Sequence, residues 1–272
     1  LKKIKLWKYV LSLPSLFLVL GGACQPEVSE QPTKAVNDAG PLSAKVDSGT
    51  TDIQAPVSDA GSGSETSQPT AGFGTITGDC GILTTALLSQ TDALMIRNAI
   101  DFENDPYDDS DYDFLTEGGQ EIIDDGNAGG SSILSEVFSY EVLNRCEGAD
   151  LLKTEMEVTY IDPSGKLTDL LVDFHETKIG VSVTRAVGWP RDDPYTVESA
   201  QNILEQKLQG VLDSTANVAP VDAWQKQILH VIAYGNEHAE SLATAFDAID
   251  ISLKSNTIVW ITVSHGDDEF LY

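Results

Sequence analysis

The sequence predicts an α/β fold, a mixed central sheet flanked by helices and preceded by a disordered tether. Three observations carry that prediction. From Ser131 to Ser264, segments with helical spacing alternate with short apolar runs of strand character. Two of those runs are joined by Asp162-Pro163-Ser164-Gly165, whose residue types favour a tight turn. Before Phe73 the chain is dominated by Pro, Ser, Thr, Asp, Ala and Gly and has no aromatic residue back to Gln25.

At the N-terminus, Lys2, Lys3, Lys5 and Lys8 precede the apolar run Tyr9 to Leu20, which ends in Gly21, Gly22, Ala23 and Cys24. Such a run falls short of the roughly 20 apolar residues needed to span a bilayer, so residues 1–23 are expected to be a signal peptide. The Gly-Ala-Cys ending resembles the lipobox of bacterial lipoproteins. In that family leucine usually stands three residues before the cysteine, whereas Leu20 stands four before. The resemblance implies export and lipidation at Cys24, with Gln25 in the next position pointing to the outer membrane. Residues 24–71 would then be the lipidated linker, too poor in apolar surface to offset the entropy of ordering. As a coil this linker would reach about 35 to 40 Å.

Residues 72–130 read as an N-terminal elaboration and 131–272 as the core. Removal of residues 1–23, with four lysines and no acids, takes the formal charge from −27 to −31. That balance makes nucleic acid an unfavourable partner and a cation or basic protein a favourable one. With Cys24 lipidated, Cys80 and Cys146 remain as an even pair in an oxidising compartment, where a disulfide is expected to persist.

Within the elaboration, seven acids crowd residues 101–113. Asp109, Asp111, Asp113 and Glu117 alternate as oxygen ligands do at the start of a Ca²⁺ loop. Phe114 replaces the required glycine and Gln120 the bidentate glutamate, which excludes an EF-hand and leaves an irregular Ca²⁺ site or a solvated acidic loop. The glycine-rich Gly126 to Gly130 lacks the Lys-Ser/Thr ending of a phosphate loop and reads as a turn before a helix that Ser131, Ser132 or Ser135 would cap.

Ile133, Leu134, Val137, Phe138, Val142 and Leu143 predict a helix up to Cys146. Strands are expected at Leu151–Ile161, Lys166–His175 and Thr177–Val187, a helix at Val197–Leu212, a strand at Ile228–Tyr234, a helix at Glu237–Ile249 and a strand at Thr257–Val263.

The order helix, three strands, helix, strand resembles the core of the PD-(D/E)XK nuclease-like superfamily, a restriction-endonuclease-like αβββαβ arrangement. If the second hairpin turns at His175 and Glu176, Asp169 lies across from Ser182 and Asp173 from Lys178. The resemblance then makes Asp169 the metal aspartate and Glu136 the helix glutamate, with Mg²⁺ as the implied ion. Ser182 and Thr184 take the positions of the family's Glu and Lys, and neither supplies charge. A literal Glu176-Thr177-Lys178 falls at the turn, more than about 10 Å from Asp169 at some 3.3 Å per residue. Glu155, Glu157, Asp169 and Asp173 are equally read as the polar side of a half-buried sheet.

The run Ile179 to Ala186, following Lys153 to Glu155, also resembles a strand in an uncharacterised protein group, which implies no activity but makes Ser182, Thr184 and Arg185 a polar cluster of interest. His230, between Leu229 and Val231, reads as a hydrogen-bonded core residue rather than a base. No Ser-His-Asp spacing, zinc cluster or dinucleotide fingerprint occurs. Two functions are therefore expected to compete. One is a surface-displayed lipoprotein with a non-catalytic binding or structural domain. The other is a metal-dependent nuclease or phosphodiesterase with relocated ligands.

Overall fold

The computed structural model describes residues 69, 70 and 74–272 except 130 and 192. The expected signal peptide, Cys24 and nearly all of the tether lie outside the described residues. In chain order the elements are β1 (Pro69–Thr70), β2 (Gly74–Gly78), α1 (Thr85–Leu88), β3 (Leu94–Asp101), α2 (Glu117–Asp125), α3 (Ile133–Glu147), β4 (Asp150–Thr154), β5 (Leu170–Phe174) and β6 (Thr177–Ala186). They continue with α4 (Val197–Asn217), β7 (Lys226–Ala233), α5 (Asn236–Ala248), α6 (Ile251–Lys254) and β8 (Ile258–His265). Short 3₁₀ turns occupy Asp109–Phe114 and Glu269–Leu271.

All eight strands join one mixed sheet in the order β1-β2-β3-β8-β7-β6-β5-β4. The neighbours β3, β8, β7 and β6 run parallel, and both flanks are antiparallel. Parallel strands need a crossover between them, and α4 and α5 supply two. Side-chain alternation then separates two cores. Ile179, Val181, Ile228, Ile232 and Trp260 meet Val137, Phe138 and Leu143 of α3 on one face. Leu229, Val231, Val259 and Ile261 meet Leu204 and Leu208 of α4 and Leu242 of α5 on the other. The helix, three strands, helix and strand expected after Ser131 are present in that order as α3-β4-β5-β6-α4-β7.

The helices end for identifiable reasons. Gly148, with φ of 71°, closes α3 and donates its N–H to Asn144. Thr196 caps α4 by accepting from Ser199 N–H. Ser132 occupies the N-cap position of α3 but makes no capping bond, because its hydroxyl is engaged elsewhere.

Two expected strands are shorter than the sequence pattern suggests. β4 ends at Thr154, where a turn begins, and β5 starts only at Leu170. The intervening backbone is satisfied by side chains instead of a ladder. The Asp222 carboxylate accepts from Thr159 N–H, and the Asn217 side chain accepts from Asp162 N–H and donates to the carbonyls of Asp162 and Lys166.

The segment 72–130 contributes β2 and β3 directly to the sheet, with β3 alongside β8 over all eight of its residues. β3 is absent from the sequence expectations. Its outward Arg97 pairs with Glu240 at 2.6 Å, while Asn98 faces inward at a core position. The expected Cys80–Cys146 disulfide is present and ties the residues after β2 to the last turn of α3. Beside it, Glu147 accepts from Ile82 and Leu83 N–H, at 3.2 and 2.8 Å.

Candidate functional site

The hairpin between β5 and β6 fixes the register of the candidate site. His175 and Glu176 both have positive φ, 49° and 66°, as a two-residue turn of mirror-image type requires. Asp173 pairs with Lys178 and Leu170 with Val181, so the residue before β5, Asp169, stands opposite Ser182.

Asp169 does not extend the ladder. Its Oδ2 accepts the Val183 N–H at 2.6 Å, in the place where a continuing β5 would offer a backbone carbonyl. Burial raises its carboxyl to about 6 against the lowering effect of that N–H bond, with Glu155 raising it further and the Lys207 charge from α4 lowering it.

Glu136, in the first turn of α3, is 4% exposed. Its Oε1 accepts from Asn127 Nδ2 at 2.5 Å and from Ser132 Oγ at 2.9 Å. Burial first, and the charge of Asp169 second, push this carboxyl up to about 7. Glu155 approaches from the turn after β4, where its Oε2 accepts from Ala128 N–H at 2.8 Å. The charges of Asp169 and Glu155 thus raise Glu136, and that of Glu155 raises Asp169.

The third-strand positions carry no charge. Ser182 is half-buried, 3.4 Å from Thr168 Oγ1, and Thr184 is buried. Arg185 donates to the Leu271 carbonyl at 3.3 Å. Among the described residues, Glu136 and Asp169 gain no third acid, histidine or cysteine with ligand atoms within 4.8 Å of each other. Mg²⁺ demands near-octahedral oxygen coordination, and one oxygen of each acid is already committed to protein donors.

In the acidic loop, some of the carboxylates cap the loop's own backbone. Asp108 and Asp111 form a capping box at the start of the 3₁₀ turn, Asp111 Oδ2 accepting from Asp108 N–H at 2.9 Å. Asp109, Asp111 and Asp113 are not gathered into a three-ligand set, and neither Glu117 nor Gln120 joins them, Gln120 donating instead to the carbonyls of Tyr112 and Leu115. Glu121, Asp125 and Glu157 do place ligand atoms within 4.8 Å of one another, all three exposed. Two of them already bond Thr154, Asp125 through its hydroxyl and Glu157 through its N–H.

Beside the acidic loop lies a groove of about 610 Å³ between the first 3₁₀ turn, the end of α2 and the start of α3. Tyr107, Tyr112, Ile123, Ile133 and Leu134 line it, and Asp108 and Asp109 sit at its edge. Asn127, the Glu136 partner, lines the same groove.

No family model matches the chain. Over 176 residues it is 43% identical to the AAC-rich mRNA clone AAC4 protein of Dictyostelium discoideum. The match covers 62% of this chain and 25% of that protein, so the chain spans about a quarter of its relative's length. Among solved structures, SfsA of Pyrococcus furiosus in complex with Ca²⁺ is similar at a TM-score of 0.25 and 15% identity, over 50% of this chain and 57% of that one. A likeness at that level carries no argument about fold or chemistry.

Sequence reasoning located Glu136 and Asp169 but not the groups that condition them. Asn127 and Lys207 act across contacts that periodicity does not encode, whereas Ser132 stands four residues before Glu136, at ordinary helical spacing. The one available signal was the glycine-rich Gly126 to Gly130 stretch, read as a turn before a helix that Ser131, Ser132 or Ser135 would cap. His230 is a core residue as expected, hydrogen-bonded by Ser139 and Thr262 and fully buried.

Proposed function

We propose that the folded region is a non-catalytic binding domain that takes a cationic, partly apolar ligand in the groove beside the acidic loop. The observation supporting this reading is the coincidence of an aromatic and aliphatic lining with Asp108 and Asp109 at the edge. Apolar walls supply burial and a few placed charges set orientation, while the chain's charge of −27 draws cations toward the surface. The test is titration of an amphipathic Lys-Leu peptide against its Glu-Leu counterpart. The Lys-Leu peptide should bind in preference, and Asp109→Lys should weaken it about 3- to 10-fold. Equal binding of both peptides, or no effect of Asp109→Lys and Leu134→Glu, defeats the proposal.

In the same reading the domain is exported and held at a membrane through acylated Cys24, as the lipobox-like ending suggests. Cys24→Ser should move the protein out of the membrane fraction and abolish labelled-palmitate incorporation. Unchanged fractionation with no label in the native protein removes the anchor.

The alternative is a metal-dependent phosphodiesterase with relocated ligands. One observation favours it: the Lys207 charge acts on Asp169, so a cation is present near the aspartate although Thr184 supplies none. Against it stand the commitment of Asp169 Oδ2 to Val183 and the missing third-strand acid. Single- and double-stranded DNA and RNA should remain uncut with Mg²⁺ or Mn²⁺ near neutral pH. Cleavage that disappears in both Asp169→Ala and Lys207→Ala would establish the enzyme instead.

A further inference from the structure

A second region, remote in sequence from the acidic loop, carries unused recognition chemistry. In sheets with parallel strands, ligands collect outside the carboxyl ends of the strands, where crossover segments leave the sheet. Here the segment 187–195 leaves β6 toward α4, and Tyr234 and Gly235 lead from β7 into α5. A cleft of about 480 Å³ opens between residues 187–189 and 193–195 and α4, and a cavity of about 340 Å³ opens between residues 191 and 193–195 and the start of α5. Asp193, Pro194 and Tyr195 are common to both.

Trp189 stands 87% exposed at the first cleft, a placement that leaves a large planar apolar face in water. Opposite it α4 offers Asn202 and Gln206, two exposed amides that both donate and accept. In the second cavity His238 is 7% exposed and stacked on Tyr195, with ring centroids 4.6 Å apart. Neither of its ring nitrogens has a hydrogen-bond partner among the described residues. Buried polar atoms are ordinarily paired, so an unpartnered imidazole lining a cavity points to a partner that arrives with a ligand.

The charges select the ligand class. The paired cleft holds two cations, Arg185 and Arg191, against the carboxylates of Asp193 and Glu237, while the whole chain carries −27. These four charges balance locally and favour a neutral ligand, and the charge of the whole chain opposes an anionic one. A metal ion finds no three-ligand cluster among the described residues of this cleft. A wholly apolar ligand would strip water from amides, carboxylates and an imidazole and return no hydrogen bonds. Hydroxyl groups match all of these partners, since each donates to a carboxylate, exchanges both roles with an amide, and serves either imidazole nitrogen whichever carries the proton.

We infer that the paired cleft at the carboxyl ends of β6 and β7 is a binding site for a neutral saccharide, with one sugar ring stacked on Trp189 and hydroxyl groups bonded to Asn202, Gln206, Asp193 and His238. The site is separate from the groove of the proposed function, and either can fail without the other.

The test uses the full chain carrying Trp7→Phe, titrated calorimetrically with cellohexaose, chitohexaose, mannohexaose and maltohexaose, with polygalacturonate and adenosine as controls. At least one neutral hexasaccharide should bind with a dissociation constant between about 10 μM and 1 mM. Trp189→Ala should weaken it at least about 10-fold and Gln206→Ala about 3- to 10-fold, each with an unchanged circular dichroism spectrum. Trp224 and Trp260 are buried, so acrylamide quenching reports Trp189, and the bound sugar should protect it. No binding by any of the four neutral sugars at 5-fold above the upper limit of that range overturns the inference. So does binding that survives Trp189→Ala, or binding of polygalacturonate or adenosine in preference.

Discussion

Thr262 gives its single hydroxyl proton to Asn98 Oδ1 at 2.6 Å, so its oxygen must accept from His230 Nε2, which lies 2.7 Å away. His230 Nδ1 is then the acceptor of Ser139 Oγ–H, also at 2.7 Å. The neutral Nε2–H tautomer is therefore the one that satisfies every member of this buried chain from α3 through β7 and β8 to β3.

Burial depresses this imidazole to about 3. A depressed base remains neutral in the folded state while the unfolded chain protonates near 6.5. Its contribution to stability is thus complete above about 6.5 and is lost as pH falls toward 3. Nitrogen NMR of the ring should show the Nε2–H form unchanged from pH 8 to 5. Titration of His230 near pH 6.5 in the folded protein would contradict the assignment. Thr262→Val, which strands two buried groups, should cost roughly 2 to 4 kcal/mol in urea unfolding.

Glu136 has the opposite sign. Its folded-state carboxyl is raised to about 7 from 4.5, so the folded protein holds a proton that the unfolded chain has released. The associated stabilisation is full below about 4.5 and falls as pH rises through 7. Glu136→Gln keeps an oxygen for Asn127 and Ser132 while removing the buried charge. It should stabilise the protein at pH 8 by about 1 to 2 kcal/mol and have little effect at pH 4.5. Equal effects at both pH values, measured by urea denaturation, would show that Glu136 does not titrate in this window.

At the β5–β6 turn, Glu176 adopts φ of 66° without being glycine. Glu176→Gly should relieve that cost and raise stability by about 0.4 to 1 kcal/mol, offset in part by greater freedom in the unfolded chain. A thermal melt resolves the difference. A lowered midpoint would mean that the Asp173 carboxylate, which accepts from Glu176 N–H at 2.9 Å, already removes the strain.

The Cys80–Cys146 bridge spans a sequence separation of 66 residues. Its loss in Cys80→Ser/Cys146→Ser should cost about 3 to 4 kcal/mol in the chain-entropy account. Native protein, denatured without reductant, should take up no alkylating label at either position. Stoichiometric labelling of both would contradict the bridge.

β6 and β7 were legible because their long apolar runs admit few alternatives. β3 was not, because Asn98 occupies a core position and breaks the alternation that marks a strand. Its amide is tolerated there only because Thr262 and the Cys146 sulfur, contributed from far along the chain, satisfy it. The same reason divides the candidate site. Counting back from the hairpin places Asp169 opposite Ser182, a local deduction. That Asp169 ends the ladder by capping Val183, and that Asn127 holds Glu136, depends on tertiary pairings with no local signature. The Trp189 and His238 cleft was hidden for a similar reason, since α4 and α5 bring it together from residues 187 to 238.

The placement of the disulfide also determines how the domain would bear mechanical load. Tension applied from the N-terminal side enters at the antiparallel edge, where β2 lies against β3 from Thr75 opposite Asp101 to Gly78 opposite Asn98. Hydrogen bonds loaded in this geometry open one at a time, like a zip. Peeling can proceed through β2 but must stop at Cys80, where the covalent link transfers the force to the carboxyl end of α3 and spares β3. A pulled molecule would therefore release β1 and β2 and keep the parallel centre of its sheet, with reduction of the bridge converting that arrest into unravelling.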